Sequence, residues 1–151
     1  MGLLERHGPD KDCSTVRARV VKSTRRPDLL SGIREHVKEG SSLFTDALPS
    51  YTPLAQQYAR NVIDHAESYA EGNVHTNGLE NFWSLLKRGI KGTYVAVEPF
   101  HLFRYLDEQV RRFNERKGTD RSRFVSIVRT IVGRRVTYAE LTDANMKPAT
   151  T

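Results

Sequence analysis

The hydrophobic period changes half-way along the chain, and that change limits the folds open to it. Over residues 14–21 apolar and polar side chains alternate, with Val16, Ala18 and Val20 on one side and Arg17 and Arg19 on the other. That is the period of a half-buried strand. From Leu79 onward the spacing is helical: first Leu79, Phe82, Trp83, Leu86 and Ile90, then Leu102, Leu106, Val110 and Phe113. Phe124, Ile127, Val128 and Ile131 mark a third helix. Strands and helices bury such faces together only by packing in layers, so the pattern predicts an α/β or α+β domain.

The punctuation refines this. Residues 2–6 are short and apolar and precede the turn residues His7-Gly8-Pro9-Asp10, which predicts a hairpin with the alternating strand. Pro27 suits the first turn of a helix reaching about residue 38, with Leu29, Leu30, Ile33 and Val37 inward and Gly40 ending it. Residues 42–45 read as a strand stopping at Asp46, and residues 60–64 as one more. Gly89 or Gly92 closes the first helix of the second half, and Pro99 opens the next. We expect one domain over residues 1–143 and a loose tail over 144–151.

With 151 residues, 38% hydrophobic and 28% charged, the chain is long enough to bury a core. No apolar run approaches the ~18 residues of a membrane span, and Met1 opens no secretory leader. The single cysteine, Cys13, excludes an internal disulfide framework and a multi-cysteine zinc site, which fits a reducing, cytoplasmic setting. The net charge of +6 is unevenly spread: residues 84–136 hold 13 basic against 5 acidic side chains, while the segments on either side are each −1. A concentrated excess of this kind suits a surface facing phosphates, although a solvated Arg-rich helix face has the same composition.

Two carboxylates stand out. Asp46 lies where the apolar run Leu43-Phe44-Thr45 ends, a common place for a catalytic side chain in an open α/β sheet. Glu80 falls in the first turn of a helix whose other exposed positions are Ser84, Lys87 and Lys91. Seven residues are two turns, so Glu80 and Lys87 share a face about 10 Å apart. Structural roles compete: Asn77 and Glu80 have the spacing of a capping box, and Asp46 suits a cap on the turn around Pro49. His65 and His75 have no metal-ligand spacing and fit structural or DNA-contacting roles better. Trp83 falls on the apolar stripe and reads as core.

The wording of residues 73–116 sharpens these alternatives. Asn73-Val74-His75-Thr76-Asn77-Gly78-Leu79-Glu80-Asn81-Phe82-Trp83-Ser84-Leu85-Leu86-Lys87-Arg88-Gly89 resembles the last catalytic segment of DDE insertion-sequence transposases of the ISXO-two-like group. Gly92-Thr93-Tyr94, Pro99, His101-Leu102, Arg104-Tyr105-Leu106 and Arg112-Phe113-Asn114 continue it in order. Upstream, Thr45-Asp46 with Tyr51 looks like the family's second-aspartate segment, and His65 and Tyr69 like the pair preceding its final motif. The resemblance implies a ribonuclease-H-like (retroviral-integrase-like) fold, a mixed five-stranded sheet flanked by helices. It also implies DNA cleavage and joining by phosphoryl transfer, with Asp46 and Glu80 as metal-binding carboxylates for two Mg²⁺ (or Mn²⁺) ions. Lys87 matches the basic residue that contacts the DNA end. Arg88, Lys91, Arg104, Arg111, Arg112 and His75 join it as expected DNA contacts, with double-stranded DNA, transposon ends and target, as the partner.

The resemblance has gaps. The family's first acid belongs on a strand upstream of residues 2–6, and Glu5, Asp10 and Asp12 do not replace it convincingly. The family's amino-terminal zinc-binding region has no counterpart, and Val95, Ala96 and Glu98 stand where a His pair and a Ser are usual. These gaps lead us to expect a fragment truncated at the first strand and impaired in catalysis alone. The alternatives are a non-catalytic DNA-binding or regulatory module acting on a full-length transposase at the nucleoid, and a protein-interaction domain or homo-oligomer whose exposed sheet edge pairs with another chain.

Overall fold

A computed structural model describes residues 1–6, 13–46, 48–62 and 77–142. The chain divides into two compact units, Met1–Arg116 and Lys117–Thr151. In the first, β1 (Gly2–Glu5) and β2 (Thr15–Ala18) form the expected antiparallel pair, Gly2 opposite Ala18 and Leu4 opposite Val16. The turn residues between them, 7–12, lie outside the described residues. Because successive strand side chains alternate faces, this hairpin presents Leu4 and Val16 to one side and Leu3 to the other. Val20 was expected inward with Val16 and Ala18 but is half exposed, because β2 ends at Ala18 and the alternation outlasts the ladder.

The Leu3 side meets the second core. Helix α1 (Arg26–His36) begins with Pro27 in its first turn and buries Leu29, Leu30 and Ile33. It ends two residues short of the expected limit: Val37 is extended, with its N–H still donating to the Ile33 carbonyl at 2.8 Å. Gly40 adopts φ +81° and donates its N–H to Gln57, which turns the chain into β3 (Ser42–Thr45). A 3-10 helix, Pro49–Gln56, which the sequence pattern did not announce, leads to β4 (Ala59–Val62), parallel to β3. Leu30, Ile33, Leu54 and Tyr58 form the core there, with Leu3, Leu43 and Tyr51 packed against it.

The Leu4 side meets helix α2 (Asn77–Gly89). Gly2 and Gly78 permit the approach: a Cβ on Gly2 would lie 2.5 Å from Trp83, and one on Gly78 2.9 Å from Leu4. Phe82 and Leu86 are buried with Val16, Leu106 and Phe113, and Trp83 packs against them as core, its ring 5.0 Å from that of Phe82. Neither glycine closes the helix. It runs on from Gly89 into a π-helical turn, Ile90–Tyr94. After a 3-10 turn, Pro99–His101, helix α3 (Leu102–Asn114) buries Leu106 and Phe113, the latter edge-on to Phe82 at 5.5 Å.

The second unit contains α4 (Asp120–Ile131), capped by Thr119, whose side chain accepts the Ser122 N–H, and the short α5 (Tyr138–Thr142). The stripe of α4 forms a helix but not a core: Phe124, Ile127, Val128 and Ile131 are all exposed. The architecture is therefore mixed α/β, as expected. The described strands form two separate two-stranded sheets rather than one five-stranded sheet.

Candidate functional site

Asp46 directly follows β3, at the end of a parallel strand pair. The corner is held from β4: the Arg60 Nε donates to the buried Thr45 hydroxyl oxygen at 3.0 Å, and its Nη2 to the Asp46 carbonyl at 3.3 Å. The Thr45 hydroxyl donates to the same carbonyl at 2.9 Å. The Asp46 carboxylate is exposed and accepts the Leu48 N–H at 3.2 Å, the turn-capping role weighed above. Its charge also reaches Tyr51: burial chiefly, and Asp46 secondarily, push that phenol above its ordinary pKa.

Glu80 occupies the first turn of α2, exposed and opposite the Phe82–Leu86 stripe. Asn77 is the first described residue of α2, and what precedes it, any cap included, lies outside the described residues. Ser84, Lys87 and Lys91 share the face of Glu80 and are exposed with it, as the helical period requires. A groove of about 780 Å³ has Phe44, two residues before Asp46, and Gly78–Leu79, immediately before Glu80, among its walls. The elements carrying the two acids thus border one groove. Among the described residues no three His, Cys, Asp or Glu side chains gather to hold a metal. Mg²⁺ takes oxygen ligands in near-octahedral geometry, and a two-ion centre needs carboxylates that bridge both ions. Two acids on separate elements do not supply that set.

The basic residues differ in availability. Lys87 and Arg88, in the last turns of α2, and Lys91, just beyond it, are exposed. Arg104 is half-buried, its guanidinium 5.4 Å from the Phe103 ring. Arg111 and Arg112 are engaged along their own helix, with Glu115 at 3.3 Å and Glu108 at 2.8 Å. His65, Tyr69 and His75 lie outside the described residues.

Several tertiary contacts of residues already named follow from no periodicity or motif. The Tyr94 ring packs edge-on against Tyr105 at 4.6 Å and its hydroxyl accepts from Gln109 at 2.9 Å, which ties the π-turn to α3. Burial first, then the hydrogen bond with Glu108, raises the Tyr94 pKa. Arg60 and Asn114 brace strand ends from a distance in sequence that no periodicity reveals.

The structure defines a mixed α/β unit with one acid at a strand end and another on a helix that carries exposed lysines. The particular family follows from comparison. Residues 1–114 match the ISXO2-like transposase domain, and the chain belongs to that family. It is also 34% identical, over 96 residues, to an uncharacterized transposase-like protein of Haemophilus influenzae (strain ATCC 51907 / DSM 11121 / KW20 / Rd), covering 63% of this chain and 77% of that one. No solved structure matches the chain.

Proposed function

We propose that the chain is a DDE transposase catalytic-domain fragment that holds duplex DNA on the exposed face of α2 and is incomplete for strand cleavage by itself. The observation carrying this reading is that face: Glu80, Ser84, Lys87 and Lys91 all point to solvent on a helix whose opposite side is core, within a family of transposases. Lys87, Arg88 and Lys91 neutralise phosphates, and Asp46 with Glu80 retains part of a carboxylate set. The ribonuclease-H-like sheet belongs to the same reading, since β3 and β4 are parallel and β1 and β2 antiparallel. Among the described residues, Asp46 and Glu80 by themselves fall short of the donor set that a two-ion centre needs.

Fluorescence anisotropy on a labelled mixed-sequence duplex tests the binding half. Each neutralised phosphate contributes about −0.9 to the slope of log affinity against log salt, so the triple variant Lys87→Ala, Arg88→Ala, Lys91→Ala should flatten that slope by roughly 2–3. Absent or salt-independent binding refutes the reading. The other half is tested by incubating the chain with Mg²⁺ or Mn²⁺ and duplexes bearing the sequences that flank its gene. Turnover that vanishes in Glu80→Gln would mean the centre is complete. The two-acid donor set also favours a second reading, a regulatory module that binds transposon DNA without cutting it, and that reading predicts that adding the chain to a full-length transposase slows its strand cleavage.

A further inference from the structure

Helix α4 lies in the unit that begins at Lys117, beyond residues 1–114 that match the family domain. Its sequence makes an amphipathic helix, yet no residue of it is buried. Phe124 is 68% exposed, Ile131 57%, Ile127 44%, and Val125 and Val128 38% each. Val132, just after the helix, is 76% exposed. The other helix of the unit, α5, does not fold onto them: its own apolar Tyr138 and Leu141 are exposed too. Two features identify what covers this face. The first is symmetry. At ~3.6 residues per turn Phe124, Ile127, Val128 and Ile131 form one stripe, and it reads alike from either end, Phe124 and Ile131 standing equally far from its midpoint between Ile127 and Val128. Laid antiparallel on a second copy, Ile127 of one meets Val128 of the other, and Phe124 meets Ile131. That is the isologous contact that closes a dimer, and antiparallel helices also oppose their dipoles. The second feature is size. With ~150–200 Å² for a fully exposed Val, Ile or Phe, the exposed fractions amount to ~550 Å² on each copy and ~1,100 Å² for the pair, just above the ~1,000 Å² a specific interface needs.

We propose that the apolar stripe of α4 is a homodimer interface, in which two copies of this chain pair antiparallel about a two-fold axis at Ile127 and Val128. The polar positions agree with this. Ser122, Ser126 and Arg129 lie on the opposite side of the helix, so pairing buries none of them. Arg121 and Arg123 flank the stripe, where a long side chain covers the margin of an apolar contact and keeps its charge in water. An interface at the low end of the specific range gives a dimer that dissociates at micromolar concentration. This inference concerns α4 and rests neither on DNA binding by α2 nor on the two acids.

Sedimentation velocity on the full chain, from ~1 to ~200 μM, spans the range in which a contact of this size dissociates. We expect the mass to rise from that of one chain to twice that value and stop there, as a closed two-fold pair requires. The variant Ile127→Glu, Ile131→Glu charges the stripe and touches no core, so it should keep the circular dichroism and stay monomeric throughout. Orientation is read by disulfide trapping in a Cys13→Ser background, Cys13 being the single cysteine. Phe124→Cys mixed with Ile131→Cys should give a linked dimer. Either variant alone should not, because in an antiparallel pair like positions lie two turns, ~10 Å, apart, too far for a disulfide. A chain still monomeric at ~200 μM overturns the proposal, as does a dimer that survives Ile127→Glu, Ile131→Glu. Linked dimers from either cysteine variant alone overturn the antiparallel arrangement, and growth beyond two chains overturns the closed pair.

Discussion

Asn114 is the side chain whose removal the fold should feel most for its size. β2 has β1 on one edge, and at Val16 its other edge is served by the Asn114 amide, 98 residues away. The Asn114 Oδ1 accepts the Val16 N–H at 2.7 Å, and its Nδ2 donates to the Val16 carbonyl at 2.9 Å, so the amide replaces a strand neighbour. Val16 is 1% exposed and belongs to the main core, where water cannot readily take over. In Asn114→Ala both backbone groups lose their partner. At about 1–3 kcal/mol for each buried unsatisfied group, with partial relaxation, we expect a loss of about 2–4 kcal/mol. Against a total of about 5–15 kcal/mol that is a large fraction, and at roughly 4 °C per kcal/mol it lowers Tm by about 8–16 °C. Asn114→Asp keeps an acceptor for the N–H but turns an oxygen toward the carbonyl, so it should also destabilise. Urea unfolding gives the magnitude and amide exchange at Val16 the mechanism. A change under about 0.5 kcal/mol with the Val16 amide still slow would refute the argument.

Other outcomes follow from the same geometry. Val95 sits at φ +60° with the Ala96 N–H bonded back to the Tyr94 carbonyl, a tight turn that a β-branched residue adopts only under strain, and it is exposed. Val95→Gly should therefore stabilise by about 1 kcal/mol in urea unfolding, and a destabilised variant would mean the turn is not strained. Tyr51 and Tyr94 both titrate above their ordinary pKa, so their contribution is complete below about pH 10 and is lost as pH rises through the folded values. Phenolate absorbance should show both ionising above the ordinary phenol range, and Tyr51→Phe should flatten the alkaline loss of stability. Thr119→Ala removes the cap on α4 and should cost that helix about 1 kcal/mol, read as faster amide exchange over Asp120–Ile131.

What was legible in the sequence is what periodicity and punctuation encode. The stripe Leu79, Phe82, Trp83, Leu86 and Ile90 faces the core, since a 13-residue helix with one apolar face has one way to pack. The hairpin and the strand ending at Asp46 are equally readable. Periodicity could not say whether a stripe is covered: α4 has the pattern of α3 but buries nothing, because burial depends on a neighbour that lies elsewhere in the chain. Nor could a glycine be trusted as a stop. Gly89 keeps helical dihedrals, and the Tyr94 contacts with Tyr105 and Gln109 secure the added turn. For the candidate site, sequence locates Asp46 and Glu80 on their elements, while the Arg60 brace behind Thr45 and Asp46 arises from strand pairing across an intervening 3-10 helix.

The division of α2 into a buried and an open face separates questions that are usually entangled. Phe82 is 1% exposed and touches both Trp83 and Phe113, so Phe82→Ala should cost about 3–5 kcal/mol and abolish any activity by unfolding. Lys87 and Lys91 take no part in that core, so removing them should leave unfolding unchanged. Arg112 lies between these cases: its exposed pair with Glu108 is worth only about 0.3–0.5 kcal/mol, yet that pairing partly neutralises the charge a phosphate would meet. Lys87→Ala should consequently weaken duplex binding more than Arg112→Ala at equal stability. The reverse order would count against α2 as the proposed DNA surface and favour α3.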